Sequence, residues 1–287
     1  MSTATVTSPL VYRFYRARVR RVRRVGASLI RVTLTGPELA GFAGGGRDQS
    51  VSLFLPHPGQ PEPVVPLDAG EDWYARWRAT DPAVRAVMRS YTISAQRPEV
   101  AEVDVDFVHH GDVGPASRWA GRARPGDAVV LLGPATPDNR SVCFRPPPDT
   151  EHVLLAADET ALPALAGILA WLPAGTSVRA WIEVPDAGDI RRLPTAADAE
   201  LRWLVRGTTP PGSGLLVEAV RAARVPAGLP YAWIAGESAT VRALRRHLVA
   251  ERGLDRRRVT FAGYWRRGAS EEDLRAEVVT AAAAQLS

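Results

Sequence analysis

Pro146-Pro147-Pro148-Asp149-Thr150-Glu151-His152-Val153-Leu154-Leu155-Ala156 is the stretch at which the chain changes its period. The run of prolines fixes φ and removes consecutive backbone donors, so no hydrogen-bond ladder continues through it. Directly behind it stands a short apolar run of the kind that belongs to a strand covered on both faces. Upstream of the prolines apolar residues recur at a spacing of two. Downstream, strand-like runs alternate with helical ones.

On the upstream side, residues 12–25, 28–35, 51–55, 90–95, 102–109 and 127–132 are rich in β-branched residues and alternate in polarity, with Gly and Pro between them. These short strands predict a small antiparallel β-barrel. Residues 39–47 and 56–70 read as Gly- and Pro-rich loops, and 72–78 as a short helical insert carrying Trp73 and Trp77. On the downstream side, 152–156, 177–184, 201–205, 231–235 and 259–262 read as strands, with helices over 159–171, 215–223 and 239–252. That alternation predicts a parallel sheet, whose ligands sit at the C-terminal ends of its strands. The expected architecture is an N-terminal antiparallel β-barrel over residues 10–146 followed by an α/β parallel-sheet domain over 149–268. Residues 269–287 open on a Ser270-x-x-Asp273 capping pattern and read as a C-terminal helix.

A length of 287 residues suits two domains that each bury a core. No run of about eighteen apolar residues is present and the N-terminus lacks a charged-then-apolar pattern, so a cytoplasmic protein without stable membrane association is expected. The single cysteine, Cys143, excludes an internal disulfide and any cysteine-built zinc or iron-sulfur cage. All 36 basic residues are arginine and the net charge is +5. Arg16, Arg18, Arg20, Arg21, Arg23 and Arg24 have the look of a stripe that follows phosphates. Yet Arg18 and Arg20 flank Val19, and Arg21 and Arg23 flank Val22, as in a barrel strand with one solvated face. No nucleic-acid partner is expected; such a surface would steer small anions.

The chemistry concentrates in two neighbouring segments. In Arg89-Ser90-Tyr91-Thr92 an arginine, an aromatic ring and a hydroxyl at i, i+2 and i+3 of an extended segment can meet the phosphate, the ring face and a ring nitrogen of one flavin. Alternation puts Arg89 and Tyr91 on one face and Thr92 near the strand end. In His110-Gly111-Asp112-Val113-Gly114-Pro115-Ala116-Ser117-Arg118-Trp119, a Gly-Pro-Ala-Ser turn runs into an amphipathic stretch ending at Ala123. Its free N–H groups and positive dipole end would face an anion such as a pyrophosphate. Trp119 reads as core packing behind that turn, and His109 as a solvent-facing residue opposite His110.

In the second half, Asp158-Glu159-Thr160 follows the first strand and Gly236-Glu237-Ser238 a later one, each leading into a helix. Asp158 and Ser238 stand where helix caps stand, and the helix starts offer N–H groups to a ligand. No Gly-x-Gly-x-x-Gly fingerprint follows the first strand. Glu183 and Asp186 would accept from ribose hydroxyls, whereas Arg191, Arg192 and Arg206 would favour a 2′-phosphate.

Five blocks in order resemble the siderophore-interacting protein family, FAD-dependent ferric-siderophore reductases among the ferredoxin-NADP reductase-like flavoproteins. They are Arg89-Ser90-Tyr91-Thr92-Ile93, Asp106-Phe107-Val108 with His110 to Ala120, Ala157 to Ala164, Trp233 to Ser238 and Gly263 to Gly268, and the resemblance runs from about Tyr12 to Gly268. It implies FAD on the barrel, a nicotinamide dinucleotide (NADPH, with NADH as the alternative) on the α/β nucleotide-binding domain, a ferric siderophore as partner and substrate, and a monomer or weak homodimer. By the same resemblance Arg89 pairs with a flavin phosphate, Tyr91 packs on the ring and Thr92 hydrogen-bonds toward its reactive nitrogen. His110 and Gly111 flank the flavin's chain, and Gly114, Pro115, Ala116 and Ser117 cradle the pyrophosphate. Asp158, Thr160, Gly236 and Glu237 line the dinucleotide site, and Tyr264 and Trp265 lie near the flavin's nicotinamide-facing side. Arg266 and Arg267 follow directly, placed to meet a siderophore carboxylate or a dinucleotide phosphate, or to be solvated. The chain departs from the family pattern at Ala157, where Gly is common, and at Ser50 and Ser52, where His and Lys are usual. Two other readings stay open: a siderophore- or flavin-binding protein without catalysis, for which Ala157 is the hint, and a flavin reductase with another electron acceptor.

Overall fold

The computed structural model describes residues 11–109, 114–275 and 277. They fall into two compact units, one of residues up to Val25 with Leu29–Cys143, the other of Gly26–Ser28 with residues from Phe144 onward.

The first unit is a closed barrel of β1 (Tyr12–Arg24), β2 (Leu29–Thr35), β3 (Ser50–Leu55), β4 (Val87–Arg97), β5 (Glu102–Val108) and β6 (Ala128–Pro134), joined in the order β1-β2-β5-β4-β3-β6. All neighbouring pairs are antiparallel. Alternate residues point inward, and Tyr15, Val19, Val32, Leu34, Leu53, Val105, Phe107 and Leu131 fill the interior. The arginine-rich strand solves a phase problem. Val19 and Val22 are three apart, which a regular strand would place on opposite faces. A bulge at Arg20 restores the phase, since Val19 pairs with Leu34 while Arg21 already pairs with Thr33. The arginines therefore stay outside, where Arg16 meets Glu38, Arg18 meets Glu62 and Arg21 meets Glu102.

Outward-facing Phe54, Met88 and Val130 would leave an apolar patch on the barrel wall. The predicted insert covers it as α1 (Trp73–Ala79), whose Trp77 is buried against them and donates its Nε1–H to Ala86 O at 3.1 Å. Phe14, Phe54 and Trp73 meet edge to face in the same cluster. A further helix, α2 (Pro115–Arg122), lays Ala116 and Ala120 on the barrel core.

The second unit is a parallel sheet of β7 (His152–Ala157), β8 (Ser177–Val184), β9 (Asp198–Val205), β10 (Pro230–Glu237) and β11 (Val259–Trp265), ordered β11-β10-β7-β8-β9. The intervening helices are α3 (Leu162–Trp171), α4 (Leu215–Arg221) and α5 (Ser238–Arg246). Leu154 and Ala156 of β7 pack toward α4 and α5, while Val153, Leu155 and Ala157 are buried on the other face, which is why that strand is an unbroken apolar run. The chain leaves β7 toward β8 and β9, then returns to the other side of β7 as β10. The direction of winding reverses between β7 and β10, and the crevice of such a sheet opens there, at the strand C-termini.

Two helical boundaries differ from the pattern. The third helix begins at Leu162, not 159, because the Asp158 side chain binds Thr160 N–H and draws that segment into a turn. The helix expected over 239–252 is α-helical only to Arg246 and continues as a π turn over His247–Glu251. Ser270 and Asp273 exchange capping hydrogen bonds ahead of a helical segment at 271–275; the rest of the expected tail helix, residues 276 and 278–287, lies outside the described residues. Among the described residues no helix is long and apolar enough to cross a membrane.

Candidate functional site

On the barrel, the motif strand is β4. Its register opposite β3 sets Leu53 against Arg89, Val51 against Tyr91 and Ser50 against Thr92. Tyr91 leans into the barrel's apolar cluster, and its ring lies 4.3 Å from that of buried Phe107 on β5. Phe107 in turn meets Trp119 of α2 at 5.6 Å. One aromatic assembly thus joins the Arg-x-Tyr-Thr strand to the helix that the Gly-Pro-Ala-Ser turn begins. Arg89 is half-buried and donates one N–H to Met88 O at 2.8 Å. Thr92 is 6% exposed, and its hydroxyl makes no hydrogen bond with a described residue. It stands in mid-strand rather than near the strand end, because a bulge at Ser94 lets β4 resume its pairing with β5 from Ala95 onward.

The first turn of α2 has Pro115 at its start and no side-chain cap, its N-cap being Gly114. His110 and Gly111, expected beside the flavin's chain, lie outside the described residues. His109 is not solvent-facing as alternation implied. It is half-buried, its Nδ1 lies 3.3 Å from the Ser117 hydroxyl, and it lies so close over Gly121 that a Cβ there would come within 2.9 Å of the ring. Trp119 packs on the core, as its sequence context implied.

On the sheet, the two polar blocks meet at the reversal point. Asp158, the first residue after β7, is 6% exposed. Its Oδ1 accepts from Thr160 N–H at 2.9 Å and from the Thr160 hydroxyl at 2.5 Å. Its Oδ2 accepts from Glu237 N–H at 2.8 Å and from the Trp265 indole N–H at 2.9 Å. One carboxylate thereby ties the ends of β7, β10 and β11 together. It fits because Gly236 has no side chain: at φ 142 a Cβ would fall 2.5 Å from Asp158 Oδ2. Asp158 is thus not the cap of α3. Nor is Ser238 the cap of α5. The N-cap is Glu237, which accepts from Ala239 N–H at 2.6 Å and Thr240 N–H at 3.0 Å, so those amides are taken by the chain itself. Ser238 instead donates to Trp265 O at 2.8 Å. A bulge at Tyr264 precedes that contact, where β11 skips one residue against β10. Arg266 is ion-paired with Glu277 at 2.9 Å, and Arg267 N–H points to Glu237 at 3.4 Å.

Burial, then the neighbouring Glu159 carboxylate, push Asp158 up to about 6 against the opposing pull of the hydrogen bonds from Thr160, Trp265 and Glu237. The folded value stands above the ordinary 3.8. The folded chain therefore holds the extra proton between those values, and stability contributed by this group is present at low pH and lost as pH rises through about 6.

The family model described as "Siderophore-interacting FAD-binding domain" matches residues 18–138, and that described as "Siderophore-interacting protein" matches 150–268. Ferric vibriobactin reductase ViuB of Vibrio cholerae is 32% identical over 254 residues, which cover 88% of this chain and 89% of that protein. The chain belongs to the siderophore-interacting protein family. Another relative, the NADPH-dependent ferric-chelate reductase of Escherichia coli, is 31% identical with 88% and 93% of the two chains covered. The crystal structure of the siderophore-interacting protein SipS from Aeromonas hydrophila superposes with a TM-score of 0.75 at 34% identity, over 93% of this chain and 97% of that one.

In this siderophore-interacting protein a buried ion cluster stands where sequence reasoning had placed a choice between donors. Arg206 is 7% exposed and makes a two-pronged pair with Glu159, one arm at 2.6 Å, while Glu183 approaches it at 3.5 Å. Glu183 also accepts Leu216 N–H at the start of α4. Arg206 is thus not available to a 2′-phosphate, nor Glu183 to a ribose, without stranding a buried partner. Asp186 is exposed and accepts Gly188 N–H on one oxygen at 2.7 Å, which leaves its other oxygen able to accept. Linear spacing could not show this cluster, because its members end three different strands.

Proposed function

We propose that the protein is an FAD-dependent reductase that takes electrons from NADPH and passes them to iron held as Fe(III) in a siderophore. The observation that carries the reading is the aromatic assembly of Tyr91, Phe107 and Trp119, which makes the motif strand and the uncapped α2 terminus parts of one surface. That surface fits a flavin dinucleotide. Arg89 offers guanidinium N–H donors to a phosphate, Tyr91 an aromatic face, Thr92 a hydroxyl that bonds no described residue, and α2 its positive end to the pyrophosphate. On the sheet unit, Asp158, Thr160, Gly236, Glu237 and Trp265 frame the crevice proposed for the dinucleotide donor.

What a bound flavin supplies is hydride acceptance from nicotinamide and single-electron delivery to iron. The residues of this chain bind and orient: Arg89 and α2 hold the anionic chain, Tyr91 covers a ring face, and Thr92 fixes an edge by hydrogen bonding. Ferric iron binds hard oxygen ligands more tightly than ferrous iron, so its reduction frees the metal from the chelate. NADPH is preferred because the E. coli relative is named for it; of the arginines read from the sequence, exposed Arg192 is the one proposed to meet its phosphate. The hint of a decayed site also weakens, because the Ala157 methyl is wholly buried in the sheet.

Anaerobic mixing tests the reading. NADPH is expected to bleach the flavin absorption of the purified protein, and a ferric siderophore to restore it with ferrous iron trapped. Flavin that neither NADPH nor NADH bleaches would overturn it. In Arg89→Ala, flavin retention should fall by ~1.5–3 kcal/mol, the loss of a charge-assisted hydrogen bond. A variant that purifies fully yellow would remove Arg89 from the phosphate site.

A further inference from the structure

The sheet crevice is built round a single buried carboxylate, and nothing in its surroundings neutralises that carboxylate directly. Asp158 receives four hydrogen bonds, none from a cation. The charged groups facing it are the carboxylates of Glu159 and Glu183, the guanidinium of Arg206 and, at the start of α5, the carboxylate of Glu237. Arg206 is already committed to Glu159 and Glu183. A buried carboxylate held only by neutral donors keeps its charge at a cost, and it holds those donors more strongly while it is charged.

Two of those donors matter to the crevice. The Glu237 N–H fixes the corner at which β10 turns into α5, a corner that depends on the left-handed Gly236. The Trp265 indole is the side chain that closes β11, next to the Arg266-Arg267 turn. We propose that Asp158 is a positioning residue for the donor step: through one carboxylate it sets the Trp265 indole and the Gly236–Glu237 corner relative to each other, and it loosens its hold on both when it takes up a proton. The proposal rests on the reductase reading for what the crevice binds, although the linkage between Asp158 and Trp265 does not. A carboxyl pushed up to about 6 loses its charge within a mildly acid range. Protonation on Oδ1, where the Thr160 hydroxyl can turn to accept the new hydrogen, leaves Oδ2 a neutral carbonyl that holds the Glu237 and Trp265 N–H groups more weakly than the charged carboxylate does.

The test uses the full-length, flavin-loaded protein. The indole Nε1–H resonance of Trp265, assigned by its absence in Trp265→Phe, is followed by NMR between about pH 5 and 8. It should shift with a midpoint near about 6 in the wild type and stay flat in Asp158→Asn. In the same variant the KM for NADPH should rise about tenfold with kcat and flavin occupancy little changed, as expected when a hydrogen bond that orders the binding surface is lost. A Trp265 signal indifferent to pH, or one that titrates equally in Asp158→Asn, would overturn the proposal. Should Asp158→Asn fail to fold, the carboxyl ¹³C shift of Asp158 in the wild type decides instead: it shares its midpoint with the Trp265 signal, or the proposal falls. A wild type whose Trp265 titrates but whose flavin no nicotinamide reduces would remove the reductase reading and leave the linkage standing.

Discussion

Arg206→Met is expected to lower the free energy of unfolding by about 3–5 kcal/mol, the cost of taking a shared counter-charge from two buried carboxylates. Two carboxylates pair with this one guanidinium. Glu159 is held by both of its arms, and Glu183 by the nearer of them. Methionine fills similar volume, so the loss would come from charge and not from a cavity. The pH dependence separates the two causes. Burial already pushes Glu183 up and Arg206 pulls it back, so in the variant Glu183 would hold its proton to higher pH still. A raised acid contributes its stability at low pH and loses it as pH rises, and the urea midpoint of Arg206→Met should therefore fall from pH 5 to pH 8 far more than that of the wild type. A parallel pair of curves would mean that Arg206 matters through packing. Replacing Glu159, Glu183 and Arg206 together by apolar residues should recover most of the loss.

The second large effect concerns activity. In Gly236→Val, the flavin should stay bound while reduction by NADPH slows about a hundredfold, the scale that a displacement of about an ångström costs a reaction depending on orientation. The backbone is at φ 142, which a β-branched side chain does not adopt without strain. A Cβ there would press within 2.5 Å of Asp158, forcing the carboxylate away from Glu237 N–H and Trp265. Flavin occupancy, read from the visible absorption of the purified variant, reports on the barrel; stopped-flow bleaching reports on the sheet. Wild-type bleaching would place the donor elsewhere.

Much of the fold could be read from the linear chain because it is carried by local periodicity. The six barrel strands stand out as alternation, and the runs His152–Ala157 and Pro230–Glu237 as strands buried on both faces. Even the bulge in β1 leaves a trace, in two valines three residues apart. The details of the crevice were less legible. Serine is the commoner N-cap, so Ser238 was the natural reading. Yet the strand carries a left-handed glycine just before its last residue, and the cap falls one residue earlier, where Glu237 reaches two amides. His109 was misread because alternation describes a strand, and its partner Ser117 belongs to the helix beyond the strand. The pairing of Glu159 with Arg206 spans 47 residues, and no spacing rule joins the ends of different strands.

The tie made by Asp158 also bears on how the chain comes to be folded. Two of its partners lie 79 and 107 residues further along. During synthesis the barrel and then β7 emerge with that carboxylate still unattended, and the crevice takes form only when β11, the last strand, docks on β10. Contacts of such separation carry a large loop-closure cost before they repay it, so this corner is expected to order late and to be the slow step in assembly of the second unit. Loss of β11 would leave β10 as an edge strand and Asp158 without the indole that shields it.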